Sequence, residues 1–281
     1  MQVLDGKVAS SKIRSRLKQE IADTLPRFGR SPGLAVILVG DDPASAVYVR
    51  NKNKNCREVG IDSREYRLPA HVTQDELEEL IKELNTFQEV DGILLQLPLP
   101  GNLDSQRCLE LISLQKDVDG FHPENVGRLT LGLPGFRPCT PAGIIALLEH
   151  YQLDVSGKDC VVIGRSNIVG KPLALMLLSR NATVTICHSR TSGIKDHVQR
   201  ADFVFAAVGI PRFVTADMVR PGAVVVDVGI NRTEDGLVGD CDYEGITAKA
   251  RAITPVPGGV GPMTIAMLLE NTVRSWESAL S

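Results

Sequence analysis

The sequence predicts an α/β protein of two units, each a parallel sheet covered by helices. Three observations carry this. Short β-branched runs alternate with helical stretches along the whole chain, the pattern of parallel strands joined by right-handed crossovers. The 281 residues are enough for about two domains. A stiff linker with two prolines, Pro138-Cys139-Thr140-Pro141, separates the two runs. The expected boundaries are 1–138 plus 265–281 for the first unit and 139–264 for the second. The rigid loop Pro255-Val256-Pro257-Gly258-Gly259-Val260-Gly261-Pro262 then carries the chain back, so that the C-terminal helix returns to the N-terminal domain.

Taking the first unit in order, Ile13, Leu17, Ile21 and Leu25 recur in steps of four and define one helical face. Pro32 and Gly33 end that pattern, and Leu34 to Val39 reads as a buried strand. After the turn Gly40-Asp41-Asp42-Pro43, Ser45 opens a helix that Gly60 stops near Val59. Tyr48 and Lys52 are four apart and share a face of it, near the carboxyl end of the sheet, where open α/β sheets form crevices; the alternative for the lysine is a solvated helix face. Glu65 to Leu68 is a second strand. Thr73 and Glu76 make a capping box for a helix through Leu84. Val90 to Leu95 is a third strand, stopped by Gln96-Leu97-Pro98-Leu99-Pro100. Gln96 is the lone amide at that strand end and either serves Lys52 or bonds the loop. Asp104 to Ser113 is helical. Lys116-Asp117-Val118-Asp119-Gly120 then sets two carboxylates in one loop, one of them expected to cap or pair with Lys116 and the other left for a ligand.

The second unit opens with a helix running to Leu148, for which Thr140 is the expected cap and Pro141 the first position. Its centre is Asp159 to Leu178: a strand over Val161 to Ile163, a turn from Gly164 to Gly170, and a helix with Pro172 in its first turn. Strand, glycine turn and helix start together present backbone N–H groups and a helix dipole to an anion. The spacing Gly164-x5-Gly170 is not the dinucleotide pattern G-x-G-x-x-G; it fits a cofactor cradle and an ordinary turn alike. The next strand, Thr183 to Cys187, ends at His188-Ser189-Arg190-Thr191. An acid would mark NAD there; a hydroxyl, His188 and basic side chains, with Arg165 near by, favour NADP over NAD, against the alternative of a solvated basic loop. Strands follow at Phe203–Val208, Val224–Val228 and Ala252–Thr254. The small residues at Val208-Gly209 and Asp227-Val228-Gly229-Ile230-Asn231 let a ring or ribose approach the backbone. The second unit therefore reads as Rossmann-like, and the last helix runs from Met263 to about Trp276.

Composition narrows the function classes. Hydrophobic content is 43%, charged content 23% and net charge −3. With no basic block, nucleic acid and membrane surfaces have no electrostatic support as partners. No apolar run is of membrane-spanning length, and the start of the chain shows no secretory signal. The six cysteines, Cys56, Cys108, Cys139, Cys160, Cys187 and Cys241, lack paired metal-ligand spacing, so no metal is expected. They read as reduced thiols of a cytoplasmic enzyme, mostly core filler.

These residues together resemble the bifunctional methylenetetrahydrofolate dehydrogenase/methenyltetrahydrofolate cyclohydrolase family, called FolD in bacteria. The likeness rests on six ordered motifs: Gly40 to Ser45 with Tyr48 and Lys52; Gln96 to Pro100; Lys116 to Gly120; Pro138 to Pro141; Gly164-Arg165-Ser166 with Val169 to Pro172; and Pro255 to Thr264. It implies two α/β domains flanking a cleft and a homodimer built through the cofactor domain. The implied activity is oxidation of 5,10-methylenetetrahydrofolate with NADP and hydrolysis of the product to 10-formyltetrahydrofolate. Lys52 matches the family's catalytic lysine, Tyr48 the tyrosine that packs on folate, Gln96 the glutamine that positions the lysine and Asp119 the carboxylate that binds the pterin. Gly164, Arg165, Ser166, Ser189 and Ile230 fall at family cofactor positions, with Thr140 and His188 as further cofactor candidates. The rivals are a dehydrogenase without hydrolase activity, another two-domain NADP enzyme such as a shikimate-type dehydrogenase, and an inactive folate- or nucleotide-binding protein. Intact Lys52, Gln96 and Asp119 weigh against the first and last.

Overall fold

The computed structural model describes residues 1–234 and 236–279, without the side chains of 43–48. In chain order the elements are β1 (Gln2–Val3), α1 (Gly6–Phe28), β2 (Gly33–Val39), α2 (Pro43–Val59), β3 (Asp62–Leu68), α3 (Gln74–Thr86), β4 (Gly92–Leu95), α4 (Ser105–Leu111), α5 (Pro123–Thr130) and α6 (Cys139–His150). They continue as β5 (Asp159–Ile163), α7 (Gly170–Leu178), β6 (Thr183–Cys187), α8 (Ile194–Arg200), β7 (Phe203–Ala206), β8 (Val224–Asp227), β9 (Asn231–Thr233), β10 (Gly236–Val238), α9 (Tyr243–Thr247), β11 (Ala252–Ile253) and α10 (Val260–Ser278).

The chain forms two compact units. One comprises 12–128, 134–137 and the chain from 265; the other comprises 1–11, 129–133 and 138–264. The first eleven residues thus cluster with the second unit, where the sequence reading placed them with the first.

In the unit built on residues 12–128, three parallel strands lie in the order β3-β2-β4. Every residue of β2 is buried, as a central parallel strand covered on both faces requires. The edge strand β3 alternates instead, and it begins three residues earlier than the sequence pattern indicates. The capping box of α3 is present: Thr73 Oγ1 accepts the Glu76 N–H while Glu76 reaches back to the Thr73 N–H. Leu77, Ile81 and Leu84 bury that helix's apolar face against the sheet. The C-terminal helix packs here as expected. The Trp276 ring is fully buried and stacks on Phe28 of α1 with centroids 4.3 Å apart, and Arg16 of α1 pairs with Glu270. The Ser275 hydroxyl lies 2.6 Å from the carbonyls of both Asp91 and Gln115, and its one proton serves the two in turn.

The other unit holds a six-stranded parallel sheet in the order β1-β11-β8-β7-β5-β6. Its strands are nearly continuous apolar runs, with Val161, Ile163, Val204, Ala206 and Val225 among the buried core. The periodicity reading passed over β1, α8, β9, β10 and α9 in this unit. The edge strand β1 is only two residues long and pairs with β11, 250 positions away. The β9–β10 hairpin is antiparallel and polar. Among the described residues, no helix is long and apolar enough to cross a membrane.

Candidate active site

In the three-stranded sheet, the chain goes from β2 to β3 on one side and then to β4 on the other. This reversal of strand order marks the carboxyl edge of β2 and β4 as the place where open α/β sheets take their ligands. Lys52 reaches it from α2. Val49, Lys52, Cys56 and Val59 form the buried side of that helix, so the lysine occupies a core-facing position and is only 8% exposed. Its Nζ donates to Gln96 Oε1 at 3.0 Å.

The amide that receives this bond is itself fixed. Gln96 N–H donates to the Ile37 carbonyl at 2.9 Å, extending the β2–β4 ladder by one rung. Its side-chain Nε2 donates to the Leu97 carbonyl at 2.7 Å, which leaves the oxygen turned to the lysine. Both alternatives for Gln96 thus hold at once. A nearly buried ammonium needs such acceptors, because removing a charge from water without them is costly. One helical turn on, burial pushes the Cys56 thiol up to about 12, so it stays protonated and inert. The side chain of Tyr48 lies outside the described residues.

The loop with two carboxylates is resolved differently from expectation. Lys116 pairs with neither; its Nζ donates to the carbonyls of Leu84, Asn85 and Phe87 at 2.8–3.0 Å and closes the end of α3. Asp117 is buried and spent on the loop itself, accepting from Phe121 N–H, His122 N–H and Asn125 Nδ2. Burial raises its carboxyl to about 6 against the pull of those donors. Asp119 is half-buried in the same loop, which Asn271 anchors by donating to the Val118 carbonyl at 2.8 Å.

In the six-stranded sheet, the chain reverses direction about β5, which lies between β6 and β7. The turn after β5 is built by close approach. Gly164 has φ +126°, and a Cβ there would fall 2.2 Å from the Ala207 carbonyl oxygen. A Cβ on Gly170 would fall 2.2 Å from the Gly164 oxygen. This is why the two glycines stand with five residues between them: the turn folds back on its own start. Gly164 N–H also donates to the Cys187 carbonyl at 2.8 Å, which brings the exit of β6, with His188 and Ser189, beside the turn.

The start of α7 is not the free anion site expected. Ser166 Oγ accepts the N–H groups of Val169 and Gly170 at 3.1 and 3.3 Å, and the Ser166 carbonyl accepts Lys171 N–H. What the turn offers is the exposed stretch Arg165 to Ile168, whose N–H groups enter no backbone hydrogen bond among the described residues. Arg165, Ser166 and Ser189 are exposed, His188 is half-buried, and Ile230 is 41% exposed beyond β8. Within the 188–191 turn His188 Nδ1 accepts Arg190 N–H at 3.1 Å. Thr140 is not a helix cap. Pro138 is the cap residue of α6, and Thr140 lies inside the helix with its hydroxyl 3.0 Å from that of Thr264.

Two acids that sequence reasoning passed over organise the same carboxyl edge. Asp227 accepts from Gly229 and Asp240 N–H through Oδ1 and from Cys241 N–H through Oδ2. Burial lifts its carboxyl to about 6, with the nearby Asp240 charge adding to the rise. Asp240 accepts from Val208, Gly209 and Asn231. The available signal was an acid closing the otherwise apolar run Val224-Val225-Val226-Asp227. Among the described residues no cluster of three or more His, Cys, Asp or Glu could hold a metal, and the six cysteines are buried and outside any disulfide.

A family model for the tetrahydrofolate dehydrogenase/cyclohydrolase catalytic domain matches residues 4–119, and that family's NAD(P)-binding domain model matches residues 138–280. The chain belongs to this family. The bifunctional protein FolD of Nitratidesulfovibrio vulgaris (strain DP4) is 66% identical over 281 residues, covering 99% of this chain and 98% of that protein. The crystal structure of the bifunctional FolD methylenetetrahydrofolate dehydrogenase/cyclohydrolase from Campylobacter jejuni is 53% identical, covers 99% of both chains and gives a TM-score of 0.97. The Trypanosoma brucei FolD enzyme, solved with NADP cofactor and an inhibitor, is 38% identical over 99% of this chain and 98% of its own, with a TM-score of 0.95. The match to the catalytic domain takes in Lys52, Gln96 and Asp119, and that to the NAD(P)-binding domain takes in the Gly164–Gly170 turn and the Asp227–Asp240 edge. A turn that only glycine can close, exposed backbone N–H groups and a neighbouring hydroxyl and guanidinium fit a dinucleotide phosphate.

Proposed function

We propose that Lys52, held by Gln96, is the residue on which hydrolysis by this FolD-family enzyme depends. The enzyme oxidises 5,10-methylenetetrahydrofolate to the methenyl form and hydrolyses that to 10-formyltetrahydrofolate. NADP supplies the hydride acceptor for the first step. The protein's share of that step is orientation, since holding two reactants at contact distance replaces the entropy of a bimolecular encounter.

The methenyl product is a cation that water attacks at the one-carbon centre. The new C–O bond forms as one water proton leaves; the carbon–N5 bond then breaks as N5 takes a proton and the hydroxyl adduct gives up its remaining proton to become the formyl carbonyl, one proton in all passing to solvent. Lys52 manages this proton traffic: its amine accepts from water and its ammonium returns a proton to the departing nitrogen. Gln96 aims it, and Tyr48 packs on the folate beside it. Asp119 accepts from the pterin amino group and ring N–H, because a carboxylate is a pure acceptor, while Asp117 is already engaged. The single observation that carries the reading is the 3.0 Å Lys52–Gln96 contact on a nearly buried lysine.

On the dinucleotide side, Gly164 and Ser166 shape the phosphate turn, Arg165 and Ser189 read the 2′-phosphate, and His188, Thr140 and Ile230 complete the contacts. Residues 1–138 with 265–281 serve folate and 139–264 serve NADP; the family matches support this over 4–119 and 138–264, while the second match also takes in the last helix. The enzyme works in the cytoplasm as a homodimer formed through its cofactor domain. The test is a coupled absorbance assay with methylenetetrahydrofolate and NADP on wild type and Lys52→Met. Wild type is expected to form NADPH without methenyl build-up, and the variant to bind NADP normally but lack hydrolysis. Normal hydrolysis in Lys52→Met would overturn the assignment.

A further inference from the structure

The loops that leave β7 and β8 are tied to one carboxylate. Asp240 is fully buried, at 0% exposure. Its Oδ2 accepts the N–H groups of Val208 and Gly209 at 2.6 and 2.9 Å, and its Oδ1 accepts Asn231 Nδ2 at 2.8 Å. Val208 and Gly209 follow β7, and Asn231 opens β9 just past β8, so one side chain just past β10, nine positions from Asn231 and 31 from Gly209, joins two loops at the carboxyl edge.

The carboxylate is itself held from behind. Asp240 N–H donates to Asp227 Oδ1 at 2.8 Å, and the Asp240 carbonyl accepts Val214 N–H at 2.9 Å. The loop after β8 is pressed onto it: a Cβ on Gly229 would lie 2.1 Å from Asp240 Oδ1. Three donors on two oxygens is a task for a carboxylate, which has about four acceptor sites and no donor; an amide in its place sets an NH₂ against one of them.

The position of these loops says what the brace serves. The strands β6, β5, β7 and β8 are neighbours in that order. Three inter-strand gaps span about 14 Å, at roughly 4.8 Å each, comparable to an extended dinucleotide. With the 2′-phosphate end at β6 and the phosphates at the turn after β5, the loops after β7 and β8 receive the other end. We infer that Asp240 is a positioning residue for the pyridine nucleotide, setting the 208–209 and 229–231 loops against its nicotinamide-ribose half. This rests on the cofactor assignment made above for the turn and Ile230.

The test is calorimetric titration of NADP into wild type, Asp240→Asn and Asp240→Asn/Asn231→Asp, with thermal melts and with hydrolysis of supplied methenyltetrahydrofolate, a step that consumes no cofactor. Asp240→Asn is expected to raise the NADP Kd about tenfold, as an amide NH₂ meets that of Asn231. The double variant moves the acceptor across the contact and is expected to return Kd to within about threefold of wild type. Hydrolysis should stay within about twofold throughout, the mark of a local cofactor effect. An unchanged Kd in folded Asp240→Asn would overturn the inference, as would parallel loss of Kd, hydrolysis and melting temperature without rescue. If Asp240→Asn does not fold, Asn231→Ala removes the same contact from the loop side. A Kd raised about threefold supports the brace, and an unchanged one overturns it. Wild type that fails to bind NADP would overturn the cofactor assignment itself, a result distinct from any difference between variants.

Discussion

Lys52 and Gln96 meet at 3.0 Å, although 44 positions separate them in the chain. The glutamine oxygen is committed to the lysine because its Nε2 is already bound to the Leu97 carbonyl. Gln96→Ala is therefore expected to misaim the lysine. A lost bond to a charged group is worth about 1.5–3 kcal/mol, or about 10–100-fold in hydrolysis, measured with supplied methenyltetrahydrofolate. Gln96→Glu keeps the contact but holds the lysine as ammonium. Its hydrolysis should show a pH-rate profile displaced to higher pH, and an undisplaced profile would argue against Lys52 as the proton acceptor.

Arg165 and Ser189 are exposed at neighbouring strand ends. A guanidinium reads a phosphate through charge-assisted bonds that a 2′-hydroxyl cannot return. Arg165→Ala with Ser189→Ala is expected to weaken NADP at least about tenfold more than NAD, read from the KM values for both dinucleotides. Equal losses would show that these residues do not recognise the 2′-phosphate.

The Gly170 Cα faces the Gly164 carbonyl so closely that any side chain forces the turn apart. Gly170→Ala should cost dinucleotide affinity and lower the melting temperature, since overpacking of this kind typically costs about 1–3 kcal/mol. Gly101→Ala is the matched control, because a Cβ there meets nothing within 4 Å. Calorimetric binding and a thermal melt on both variants separate the two cases.

Gly127 lies inside α5, with open space around its Cα and no left-handed φ. Alanine restores helix propensity there, so Gly127→Ala is expected to stabilise by about 0.5–1 kcal/mol in urea unfolding. A destabilised variant would mean that α5 needs the glycine for a reason its surroundings do not display.

Burial raises the folded-state pKa of Asp117 to about 6, above its ordinary value of 3.8. The folded protein therefore binds the proton more tightly than the unfolded chain. The contribution is fully present below pH 3.8 and is lost as pH rises through about 6. Asp117→Asn removes it. The stability of wild type relative to that variant is expected to fall by a few kcal/mol, at about 1.4 kcal/mol per pKa unit, between roughly pH 4 and 6. Chemical denaturation across that range checks this, and a difference that rises with pH would contradict the sign.

Much of this protein is written in short-range patterns. The alternation of apolar strands and helices, the Thr73–Glu76 capping box and the return of the last helix are legible because each depends on residues a few positions apart or on chain stiffness. Lys52 was legible only through its place in an ordered motif; that it lies on the buried side of its helix was decided by the structure. The Asp227–Asp240 brace, the turning-in of Ser166 on α7, the Thr140–Thr264 contact and the pairing of β1 with β11 were decided only by tertiary structure. Each joins groups that are unremarkable in their own neighbourhoods, and each is settled by which buried N–H or hydroxyl finds an acceptor once the sheets have formed. Hydrophobic periodicity specifies which face is inside; the partners of polar groups at strand ends depend on which loops the completed topology brings together.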